Sequence, residues 1–378
     1  MKMKVIICPI KYKNPPYFNI PSIKIYSAIK QKTNKIKNRT HKINHKNKNL
    51  NYLTVYCSQK NTSFKIMNYT KNLITNFFLY LLIFHGSRTQ IHSQITADTS
   101  QINAHLIKLT KTAEYRHFMN VFQLNETAAY IFNEFSKYTD SVDYQLFNVN
   151  KNEYKNVICS FGTEHSQRVI IGAHYDVCGN QEGADDNASG VVGLLELARL
   201  LKNSKLPFRV DLVAYSLEEP PFFRTKSMGS YIHAQYLRNS NIPVIGMISV
   251  EMIGYFSNEK KSQDYPISLL KLKYGSRGDF ITLVRKSSYG SFVKQFCKAY
   301  KKTNQITTKK FTAPQSLTGV DFSDHLNYWN FGFDALMITD TSFYRNKHYH
   351  QDSDIMETLN IPMMAKVIDG LFLSLIGM

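Results

Sequence analysis

Arg168-Val-Ile-Ile-Gly-Ala-His174-Tyr-Asp176 and, nine residues on, Asp185-Asp186-Asn187-Ala-Ser-Gly190 are the stretch whose reading decides the fold. The first part is a short apolar run that ends in an imidazole and a carboxylate. The second is a carboxylate pair that opens a helix: Asn187 or Ser189 can cap it, and residues 191–201, VVGLLELARLL, carry its apolar faces. A strand ending in His-x-Asp and a helix opening on acids place metal-type ligands at a strand-to-helix turn.

Outward from this stretch, strands and helices alternate. Residues 157–161 and 169–173 read as neighbouring strands joined by a hairpin through 162–166, and 188–202 as the helix that follows. Residues 208–216, 244–250 and 335–339 read as further strands. Helices are expected at 100–121, 126–138, 229–239, 288–302, 323–330 and 361–376. Residues 255–287 read as an excursion between core elements. The pattern predicts a three-layer α/β/α sandwich with a mixed, largely parallel central sheet.

The net charge of +19 suggests nucleic acid until its location is examined. Seventeen of the 47 Lys and Arg precede Asp98, the first acidic residue, so residues 98–378 carry 30 bases against 28 acids. The basicity belongs to the head of the chain, and a basic nucleic-acid face on the main domain is not supported. The five cysteines show no CxxC or zinc-ribbon spacing.

The organisation read from composition has three parts. Residues 1–66 form a Lys- and Asn-rich basic tail of the composition that AT-rich DNA gives when translated ahead of a true start, with Met67 as the natural initiator. Residues 67–93 fit an export signal: Lys71 supplies the positive region and 73–84 the apolar core, shorter than the ~20 residues of a spanning helix. A secreted or periplasmic protein is expected, with an uncleaved membrane anchor as the alternative. Residues 98–378 form the catalytic domain.

In an open α/β sheet, ligands bind beyond the carboxyl ends of the strands. His174 and Asp176 follow one strand, Glu218 and Glu219 a second, Glu251 a third, and His350 lies on the loop after a fourth; Asp185 sits before the returning helix. Imidazole and carboxylate suit zinc. Two zinc ions ~3.5–4 Å apart need a bridging carboxylate, and Asp185 is assigned that place. His174 and Glu251 complete one ion, Glu219 and His350 the other, leaving an open position for a shared water. Asp176 is expected to accept the other ring N–H of His174. Glu218 faces the attacking water as general base.

These residues resemble the co-catalytic zinc aminopeptidases, the family of bacterial leucyl aminopeptidases and glutamate carboxypeptidase II. The resemblance covers roughly 157–376 and rests on six blocks in order: His174-Tyr-Asp176, Gly183 to Gly190, Glu218-Glu219, Glu251 to Tyr255, Ser323-Asp324-His325, and Tyr349-His350 with Asp352 and Asp354. It implies the same roles, with His174, Asp185, Glu219, Glu251 and His350 as ligands of two zinc ions and Glu218 as base. It also implies peptide substrates with a free N-terminus. Glu251 stands where leucyl enzymes usually have Asp, and Val320 where they have an oxyanion-steadying tyrosine. Tyr344 and His348 are weak replacements, and Asp324-His325 is expected to brace the site. The alternative within the fold is a glutaminyl-peptide cyclotransferase using one zinc. His174 and Glu251, both free for a second ion, speak against it.

Overall fold

The computed structural model describes residues 96–378, so the basic head 1–66 and the 67–93 segment lie outside the described residues. Eight strands form one mixed sheet: β1 (Val142–Val149), β2 (Asn152–Phe161), β3 (Arg168–His174), β4 (Arg209–Tyr215), β5 (Val244–Glu251), β6 (Ile281–Lys286), β7 (Thr308–Ala313) and β8 (Ala335–Thr339), in the order β1-β2-β4-β3-β5-β8-β6-β7. The centre, β4-β3-β5-β8, is parallel, with Ala173 opposite Ala214 and Ile171 opposite Ile248. β1 and β2 extend one edge antiparallel; β6 joins β8 antiparallel and carries β7 parallel.

The central strands are apolar on both faces because both are covered. Val169, Ile171 and Ala173 of β3 enter one core layer, and Ile170 enters the other. The first layer is closed by α1 (Thr99–Thr110), α2 (Val121–Phe135), α3 (Gly190–Leu201), α6 (Ser291–Thr303) and α8 (Ile361–Ile376). The second is closed by α4 (Gly229–Asn239) and α7 (His325–Asn330), while the short α5 (Leu270–Tyr274) lies outside both. Each fully buried Leu, Ile or Val contributes ~1.5–3 kcal/mol of transfer free energy, so helix α3, buried on nearly every face, anchors the sandwich. Its first residue must be glycine: a Cβ on Gly190 would meet Asn187 Oδ1 at 2.3 Å and the Val250 carbonyl at 2.5 Å. Among the described residues no helix is long and apolar enough to cross a membrane.

The three-layer architecture matches the expectation, with local differences. The hairpin between 157–161 and 169–173 does not form: β2 pairs with β1 and β4, and β3 lies between β4 and β5. The first helix stops at Thr110 rather than 121, and the second begins at Val121, capped by Asn120, whose side chain accepts the Gln123 amide. Strands β1, β6 and β7 have no counterpart in the sequence reading; β6 emerges from the 255–287 excursion.

Candidate active site

The strand ends converge as the pattern requires. His174 closes β3, Glu218 and Glu219 follow β4 by three and four residues, Glu251 closes β5, and His350 lies on the loop after β8. All but His350 are almost fully buried. His174 Nε2 lies 3.3 Å from Asp186 Oδ1, 3.4 Å from Glu251 Oε2 and 3.9 Å from Glu218 Oε2. His350 Nε2 lies 3.1 Å from Asp186 Oδ2 and 3.2 Å from Glu219 Oε2. Each oxygen of Asp186 therefore faces a different imidazole.

That arrangement corrects the assignment of the bridge. Asp185, given that place from the sequence, turns away: its Oδ1 accepts the Gly254 amide at 2.9 Å and its Oδ2 accepts Asn346 Nδ2 at 2.8 Å. The turn enforces the exchange. Asp354 accepts the amides of both Asp185 and Asp186, each at 3.0 Å, and the backbone leaves helical geometry at Asp186 (φ −104°, ψ 90°). Neighbouring carboxylates on so fixed a turn point to different sides, and the second one enters the site. Asp185 instead braces the 252–255 turn and the loop that carries His350.

Asp176 also differs in detail. The ring Nδ1–H of His174 donates to the main-chain carbonyl of Asp176 at 3.2 Å, with the carboxylate at 3.5 Å. The carboxylate accepts the amides of Glu218 and Glu219, at 3.1 and 3.0 Å. It thus fixes the turn after β4 that aims both glutamates, while the carbonyl sets the tautomer that leaves the Nε2 lone pair facing Asp186 and Glu251.

Glu251 is held by Ser323 Oγ, which donates to Oε2 at 2.7 Å, with Ser249 Oγ 2.7 Å beyond. The bracing expected of Asp324-His325 falls to Ser323: His325 Nε2 reaches the Val320 carbonyl at 2.8 Å, and neither oxygen of buried Asp324 has a hydrogen-bond partner. Burial pushes the Asp324 carboxyl up to about 7. Val320 is itself buried and offers the site no side-chain donor. Tyr344 lines an adjoining cavity and donates to the Thr318 carbonyl, while His348 Nδ1 lies 2.8 Å from Ser353 Oγ.

Arg116 went unnoticed in the sequence. Fully buried, it donates to the carbonyls of Leu109, Tyr175 and Gly183, tying α1 to both ends of the loop that follows β3. Burial pulls its pKa down to about 10 against the opposing field of Asp354, Asp176 and Asp186. Asp354 and Ser323 had no role assigned either. Ser323 and Asp354 stand in blocks already noted, but what each holds lies 72 to 169 residues away and is not given by the block.

The electrostatics are unusual. Burial and neighbouring carboxylates push Glu218 well above its ordinary range and Glu219 up to about 8. Burial opposes ionisation of Asp186 too, but the flanking imidazoles outweigh it and hold that carboxyl down. The imidazoles rise in turn: burial lowers both, yet Glu251 and Glu218 raise His174, and Glu219 raises His350. Asp186 Oδ2, Glu219 Oε1 and His350 Nε2 are buried without any hydrogen-bond partner. Asp186 Oδ2 and His350 Nε2 approach to 3.1 Å without hydrogen-bond geometry, as donors do when they converge on a common point. Buried polar atoms left unpaired cost ~1–3 kcal/mol each, more when charged, so they mark a place where a cation fits. The trios His174–Asp186–Glu251 and His174–Glu218–Glu219 each present atoms within 4.8 Å of one another.

An α/β/α sandwich carrying imidazoles and carboxylates at its parallel strand ends suits a metal-dependent enzyme. The profile of Peptidase family M28 matches residues 156–373, and the chain belongs to that family of zinc-dependent metallopeptidases. It is 42% identical over 282 residues to the uncharacterized protein YfbL of Escherichia coli K12, covering 72% of this chain and 86% of that protein. It is 25% identical over 285 residues to leucine aminopeptidase 1 of Ajellomyces capsulatus strain G186AR, covering 70% and 68%. In fold it resembles LapB from Legionella pneumophila, with TM-score 0.58 and 23% identity over 76% of this chain and 74% of that one. The glutaminyl cyclase of Bacteroides thetaiotaomicron shares the fold equally, with TM-score 0.58 and 15% identity over 75% and 99%.

Proposed function

We propose that the chain is an aminopeptidase that works with two divalent ions, zinc by the character of its donors. His174 and Glu251 would hold one and Glu219 and His350 the other, with Asp186 between them. The observation that carries this reading is the paired aim of the Asp186 oxygens, one at each imidazole. Such a pair of ions supplies Lewis acidity at the scissile carbonyl and a more acidic attacking water.

The chain's own residues do the rest. Glu218 is the general base: its carboxylate takes a proton from the attacking water and hands it to the departing amine. Asp176 keeps Glu218 aimed by holding its amide. Ser323 orients Glu251, and Asp185 with Asn346 fixes the backbone on either side of the pair. Surplus buried carboxylate suits the free amine of a peptide N-terminus. A pocket opens beside Glu251, walled by Phe280, Phe311, Phe322, Phe343 and Tyr344. Its lining favours an apolar first side chain.

Aminoacyl-amides tested beside their N-acetylated counterparts, with and without a chelator, check this reading. Only the free-amine substrates should turn over, and chelation should abolish turnover. Equal hydrolysis of the acetylated series would exclude an aminopeptidase.

A further inference from the structure

We propose that Cys178 is an additional ligand for the ion at the Glu219–His350 position, an inference that rests on the two-ion reading above. Cys178 lies two residues past Asp176 on the loop leaving β3. Its Sγ, a Glu219 oxygen and a His350 ring nitrogen all fall within 4.8 Å of one another. The thiol is free and half-buried. Glu219 is 4% exposed, and its Oε1 has no partner. A carboxylate oxygen, an imidazole nitrogen and a sulfur thus lie close together, and both Glu219 and His350 keep a buried polar atom without a partner.

The other described cysteines behave differently. Cys159 and Cys297 are packed in the apolar layer beneath the sheet, where burial pushes both thiols up, that of Cys297 to about 11. They face no imidazole or carboxylate cluster. The ring of His350 is steadied by Tyr349, stacked on it at 3.8 Å and 18°, and its backbone is held at φ 56°, in the left-handed region costly for a side chain. The imidazole is therefore held in place, with the sulfur within 4.8 Å of one of its nitrogens. When a divalent ion binds, the S–H bond breaks, its proton leaves to solvent, and a sulfur–metal bond forms.

The consequence is asymmetry. The His174–Glu251 position offers nitrogen and oxygen only, whereas the Glu219–His350 position adds a soft donor. Thiolate favours zinc over manganese or magnesium, so the second position should be the more selective of the two.

Cobalt(II) loaded into the full chain tests this. Wild type should show the visible bands of bound cobalt together with a near-ultraviolet sulfur-to-cobalt charge-transfer band. Cys178→Ser should keep the visible bands and lose the near-ultraviolet one. The zinc-over-manganese preference of the variant should fall by about tenfold, the scale on which supporting groups tune metal affinity. Visible bands without a charge-transfer band in wild type, or an unchanged spectrum in Cys178→Ser, would overturn the proposal and leave the two-ion reading standing. Failure to bind cobalt at all would overturn both.

Discussion

Two buried charged clusters lie along the same sheet, and only one of them is complete. Asp211, on β4, is 1% exposed, and both its oxygens are satisfied: Oδ2 by Arg168 at 3.0 Å, Oδ1 by Arg209 at 2.6 Å and Ser160 at 2.7 Å. At the far end of the neighbouring strands, Asp186, Glu218, Glu219 and Glu251 crowd around two imidazoles with no Lys or Arg contact among the described residues, and three of the buried polar atoms there have no partner. A charge cluster that balances itself is structural. One that does not balance itself is built for something the chain must acquire.

The largest expected break in this comparison comes from Glu218→Gln. It removes the proposed base and keeps the shape, so kcat should drop about 10³-fold, or ~4 kcal/mol, while metal content stays at the wild-type value. Metal analysis beside steady-state kinetics checks both halves; full activity in the variant would refute the role given to Glu218. Asp211→Asn should do the reverse. It strands two arginines that are only partly exposed and should cost about 3 kcal/mol of stability by denaturant unfolding, with metal content unchanged. Loss of metal from that variant would mean that the two clusters are not separate.

The smallest effect sharpens the contrast through pH. In metal-free protein, burial followed by the Asp186 carboxylate lifts Glu219 from about 4.5 to about 8. The folded state then binds that proton more tightly than the unfolded state. The apo fold is favoured below about pH 4.5 and loses this stabilisation as pH rises through about 8. Thermal unfolding of apo protein should therefore drop by on the order of a few degrees across that window. Metal-loaded protein should show no such decline, because the ion replaces the proton. Parallel apo and loaded curves would mean that Glu219 does not meet the ion.

How much of this was readable in the sequence follows from where each determinant sits. The central strands announce themselves because burial on both faces makes them continuous apolar runs, as in Val169-Ile-Ile-Gly-Ala173. The edges do not: β7, Thr-Lys-Lys-Phe-Thr-Ala, is only partly buried and carries two lysines, and β1 is largely exposed. His174, Glu218, Glu219, Glu251 and His350 could be gathered at one edge because each follows a strand. The choice between Asp185 and Asp186 could not be made. It depends on Asp354, 168 residues away, whose carboxylate holds both amides and sets which side chain turns inward. Arg116 leaves no local pattern either, because it acts on backbone carbonyls, two of them 59 and 67 residues away. Ser323 stands in a recognised block, but its hold on Glu251, 72 residues away, does not follow from that block alone.

The central claim is that two ions flank the Asp186 carboxylate. Anomalous diffraction at the zinc edge from crystals of the zinc-loaded chain measures it directly. Two peaks are expected, one against His174 and Glu251 and one against Glu219 and His350, with Asp186 between them. A single peak, as a one-zinc cyclase would give, or density against Asp185 in place of Asp186, would contradict it.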